Sequence, residues 1–66
     1  MEKLTNQEIL ASGLLFYKLD MEDIMAVLIM LDSEEKVEEM LNWMKENLQT
    51  NKKEILNQSR KIVLGD

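Results

Sequence analysis

Apolar and polar residues recur at helical spacing along most of this chain, but one stretch has no polar position at all. Ile24-Met25-Ala26-Val27-Leu28-Ile29-Met30-Leu31 is a run of eight apolar residues. At about 100° per residue such a run leaves no side of a helix polar. A helix that is apolar all round has to be covered all round. The expectation is a central, buried helix 2, wrapped by the rest of the chain or completed by a second molecule.

The flanking segments carry amphipathic patterns with clear start signals. Thr5 and Glu8 have the spacing of a capping box, and Leu4 and Ile9 that of a hydrophobic staple. Ile9, Leu10, Gly13, Leu14 and Tyr17 then recur at helical spacing, with Leu15 and Phe16 widening the stripe, which predicts helix 1 from about Asn6 to Tyr17. Gly13 in mid-helix costs about 1 kcal/mol relative to alanine, and a close helix crossing there is the ordinary reason. Asp20 caps the next helix, Glu22 and Asp23 suit its positive end, and Leu19 staples to Ile24; helix 2 runs from about Met21 to Met30. The short link between helices 1 and 2 requires a hairpin or a steep corner.

Asp32 or Ser33 opens helix 3, about Ser33 to Glu46, with Val37, Met40, Leu41, Met44 and Leu48 on one face and Trp43 on its flank. Asn47 is expected to end it in the left-handed conformation, with Leu48 folded back as the apolar contact. Asn51 and Glu54 open the last helix, which Ile55, Leu56, Ser59, Ile62 and Val63 stripe and Gly65 stops. Lys52 and Lys53 oppose the helix dipole in its first turn; packing beside acidic helix 3 would offset them. No segment alternates with period two between turn residues, and the chain has no Pro and two Gly. The pattern therefore predicts an all-α protein, a compact bundle of four short helices (about 6–17, 21–30, 33–46 and 52–64) in one domain spanning 1–66, with helix 2 central and buried.

Composition narrows the function more than it names it. A chain of 66 residues buries only about 60% of its unfolded surface, so self-association would help it. It has no Cys and no His, which removes disulfides, the usual zinc ligands, the commonest general base and the thiol nucleophile. Asp20-Met21-Glu22-Asp23 and Asp32-Ser33-Glu34-Glu35 lack the alternating ligands, central Gly and closing Glu of a calcium loop and read as helix caps. Ser12, Ser33 and Ser59 have no base partner in a recognisable triad, and no Gly-rich phosphate loop is present. The expectation is a protein that is not an enzyme and needs no cofactor or metal. The N-terminus lacks the basic start and apolar core of a signal peptide, and eight apolar residues fall far short of the roughly 20 that span a bilayer. A cytoplasmic protein with no membrane contact is expected.

The net charge of −5 is unevenly spread. Residues 20–46 hold nine acids against Lys36 and Lys45, whereas Lys52, Lys53, Arg60 and Lys61 give helix 4 a candidate basic surface. The acidic middle reads as a solvated helix face or as a surface that meets a basic partner. Five methionines, Met21, Met25, Met30, Met40 and Met44, fall in helices 2 and 3; Met fills irregular core gaps and also furnishes adaptable binding surfaces. Apolar helices rich in Met point to a small non-catalytic interaction or regulatory module that forms a homodimer or binds a protein partner. Phe16, Met40, Trp43 and Met44 are the candidate dimer surface. The rival readings are a DNA-binding regulator using helix 4 and an acidic protein imitating a nucleic-acid backbone. Nucleic acid fits poorly, because helix 2 offers apolar residues and helix 3 carboxylates where a recognition helix needs donors and cations.

Overall fold

Each helix starts where a short polar side chain can occupy the free amides of its first turn. The computed structural model describes residues 3–65, and in it the helices are α1 (Asn6–Phe16), α2 (Met21–Met30), α3 (Glu34–Glu46) and α4 (Lys52–Leu64). Thr5 Oγ1 accepts from the Glu8 amide at 3.1 Å while Glu8 Oε1 accepts from the Thr5 amide at 3.0 Å, a reciprocal capping box. Asp20 accepts from the Asp23 amide, Ser33 from that of Lys36 and Asn51 from that of Glu54. Glu54 does not reach back to its own cap; its carboxylate accepts from the Thr50 hydroxyl at 3.0 Å. Among the described residues there is no strand, and the architecture is an all-α four-helix bundle.

Gly65 ends α4 in the left-handed conformation, and the other residue that ends a helix so is Lys18, not Asn47. Lys18 has φ 65°, its amide donates to Leu15 O, and the Leu19 amide donates to Leu14 O at 3.2 Å. That pair of bonds closes α1 as a Schellman motif, with Leu19 and Leu14 both buried as its apolar contact. Asn47 instead sits at φ −126°, and its side-chain amide donates to Trp43 O. Leu48 does not fold back; it is 71% exposed.

Contacts between helices set the direction of the bundle. Asn6 Nδ2 donates to Glu34 Oε1 at 2.6 Å, Gly13 faces Met44, and the Tyr17 hydroxyl donates to Leu48 O at 2.8 Å, so α1 and α3 run the same way. A Cβ at position 13 would stand 3.0 Å from Met44 Cε, which explains a glycine at this crossing. Lys52 Nζ lies 3.3 Å from Asp23 Oδ2, each in its helix's first turn, so α2 and α4 also run together. The partner that offsets Lys52 is therefore α2 and not α3. Around the bundle the order is α1, α2, α4, α3; α2 and α3, though joined by three residues, stand diagonally across the core.

All four helices and both first links feed one core, built on Leu10, Leu14, Leu19, Ile24, Val27, Leu31, Val37, Met40, Met44, Ile55 and Ile62. Ser59 is also fully buried, its hydroxyl bonded to Ile55 O at 2.9 Å and 3.8 Å from Met40 Sδ, so no polar group is stranded there. Helix 2 is not buried all round within this chain. Ile24 and Val27 enter the core and Leu28 is half-buried, but Met21, Met25 and Ile29 face outward. The physical reason is the diagonal placement: α1 and α4 cover two flanks of α2, and no helix is left for its outer side.

Candidate functional site

The two hairpins of the bundle differ on their outer sides. From Ile9 to Tyr17 there is no charged residue. Leu10 and Leu14 point into the core, which leaves Ile9 and Phe16 on the side toward α3 and Leu15 on the side toward α2. Phe16 keeps 77% of its surface, Met21 69% and Ile29 72%, with Leu15 and Met25 above half. On the α3–α4 hairpin the same outward positions carry Glu35, Glu38, Glu39, Lys53, Arg60 and Lys61, all exposed. The core has taken one face from each helix; α1 and α2 have a second apolar face to leave over, whereas the α3–α4 hairpin leaves large exposed apolar side chains only at Leu48 and Leu64, at helix ends.

Between α1 and α3 this leftover surface forms an open groove of about 590 Å³. Its floor is Gly13 and Met44, and Ile9, Phe16, Leu41 and Leu48 supply its apolar walls. The Tyr17–Leu48 hydrogen bond spans the helices at one end and the Asn6–Glu34 bond at the other. Phe16 stands edge-on to Tyr17, ring centroids 5.2 Å apart at 84°, so the exposed ring is held by its neighbour. Glu38 and Lys45, both exposed, border the groove on the α3 side. What such a surface does chemically is exclude water against another apolar surface, with two charges to orient it.

The residues singled out in the sequence do not form one surface. Phe16 is exposed on the groove wall, as a contact residue would be. Met40 and Met44 belong to the core and cannot be a docking surface, although Met44 reaches the groove floor. Trp43 is half-buried against the core and is not among the residues that line the groove. Of the basic set, Lys52 is turned to Asp23, while Lys53, Arg60 and Lys61 share the outer face of α4 with Asn57. Sequence reasoning gave Leu15 to the apolar stripe of helix 1 and Ile29 to an all-apolar helix 2, and left Met21 and Met25 between core filling and a binding surface. The signal that could have moved them outward is the shortage of covering helices, since three helices cannot enclose a fourth that stands at a corner of the bundle.

Among the described residues no group of three or more acidic side chains is placed to hold a metal ion, and no helix is long and apolar enough to cross a membrane. No protein-family model, curated protein or solved structure matches the chain.

Proposed function

We propose that this chain is a small, non-catalytic helical interaction module that self-associates, with α1 at the centre of the contact. The single observation that carries the reading is the apolar surface left on α1 and α2. Ile9, Leu15 and Phe16 on α1 and Met21, Met25 and Ile29 on α2 all stand exposed, and large apolar side chains gathered on one side of a small bundle mark a surface that meets another molecule. The outer side of α4, with Glu35 and Glu39 of α3, then remains the solvent face of the assembly. Met21, Met25 and Ile29 form a separate strip on α2, a place for a further protein partner whose shape flexible Met side chains accommodate. The module needs neither a disulfide nor a cofactor, in keeping with a cytoplasmic setting.

The reading as a DNA-binding regulator rests on Lys53, Asn57, Arg60 and Lys61 alone. It is the weaker one, because the exposed carboxylates of the adjoining α3 repel phosphate at close range. Thermal melting over a hundredfold range of protein concentration tests self-association, since binding of the folded chain to itself raises Tm with concentration. A rise of several degrees is expected. A Tm independent of concentration contradicts it.

A further inference from the structure

The groove between α1 and α3 has a symmetry that the bundle itself does not require. Ile9 and Phe16 on its α1 wall are seven residues apart, two helical turns or roughly 10 Å, and the midpoint between them falls at Ser12–Gly13. Glu38 and Lys45 on its α3 rim are also seven apart, and their midpoint falls at Leu41–Asn42. The contacts between the two helices join residues 28 apart at Asn6–Glu34 and 31 apart at Tyr17–Leu48. Gly13 and Met44 are 31 apart and Ser12–Gly13 and Leu41–Asn42 are 29 apart, so the two midpoints stand within about two residues, roughly 3 Å, of one level.

We propose that a second copy of this chain seats on the groove about a two-fold axis lying across both helices at that level. The proposal rests on the self-association argued above and says where it happens. Rotation about such an axis lays α1 antiparallel on α1 and α3 antiparallel on α3. Ile9 then meets Phe16 of the second copy twice, and Glu38 meets Lys45 of the second copy twice. An isologous contact must be complementary to itself, and this one matches large apolar to large apolar and acid to base in both halves. At the axis Ser12 and Gly13 are small, which lets the two α1 helices approach closely. The acidic stretch of α3 gives the same rim no other cation near its middle: Lys45 is the single base among the groove residues. A copy turned instead about an axis along the groove, with parallel helices, would lay α3 on α1 of the second copy and set Glu38 and Lys45 against its apolar Ile9 and Phe16. The opposite charges of the rim, which only the antiparallel arrangement pairs, therefore select it.

The test is a pair of charge reversals read by native mass spectrometry and sedimentation. Glu38→Lys and Lys45→Glu, both at exposed positions, are each expected to keep the helical circular dichroism of the parent and to weaken the homodimer about tenfold or more. Mixed in equal amounts, they are expected to form the heterodimer in large excess over either homodimer, because that pair restores two opposite-charge contacts. The double reversal in one chain is expected to recover parental affinity, and Met25→Glu on α2 to leave the dimer unchanged. Charge variants that dimerise like the parent and mix statistically, or a dimer broken by Met25→Glu and not by Phe16→Ala, would overturn the groove arrangement while leaving self-association standing. A parent chain that stays monomeric would overturn both.

Discussion

Lys18 is the one non-glycine residue with positive φ among those described, and it closes α1 where glycine is the common choice. An L-residue there costs roughly 1–2 kcal/mol relative to right-handed backbone. Lys18→Gly is expected to stabilise the chain by about 0.5–1 kcal/mol in denaturant melts; a loss of stability would show that the lysine side chain makes a contact worth more than its strain. This is also where reading the sequence at residue scale failed. Thr5, Asp20, Ser33 and Asn51 were legible as caps because oxygen-bearing side chains at a fixed distance from a free amide leave a local signature. A lysine in the left-handed conformation leaves none. It is held there by Leu14 and Leu19, whose burial together is a tertiary fact. Asn47 carried the expected signature and uses its amide on Trp43 O instead, so the same residue type served a different end of the same problem.

At the scale of elements, the four helices were legible to within a residue of their ends, yet the burial of α2 was not. Periodicity reveals a buried face only by contrast with polar positions, and the run from Ile24 to Leu31 has no polar position to mark the outside. Position in the bundle decides instead: α2 occupies a corner and turns Ile24 and Val27 inward. Val27→Asp is expected to abolish the folded state, since an unpaired buried charge costs several kcal/mol. Ile29→Glu, on the same apolar run two residues later, is expected to leave the circular dichroism spectrum intact and to shift the melt by only about 0.5 kcal/mol. Equal damage from the two substitutions would mean that α2 is enclosed on all sides after all.

For the whole molecule, the division between a hairpin with charged outer positions and one with apolar outer positions is the feature from which the functional reading follows. The candidate surface was only partly legible for a related reason. Of the four candidate surface residues Phe16 is exposed, but Met40, Trp43 and Met44 are apolar in a helix whose opposite face is densely charged, and the bundle uses them inside or at its edge. The groove could not be seen in the sequence at all, because it exists only where α1 and α3 run in parallel with Gly13 against Met44. Its walls account for the exposed Ile9, Phe16 and Leu48 if a second copy covers them. Sedimentation equilibrium of the unmodified chain at micromolar concentration measures that directly. A species of twice the 7.8 kDa chain mass is expected, and a single species of 7.8 kDa persisting at high concentration would rule the dimer out.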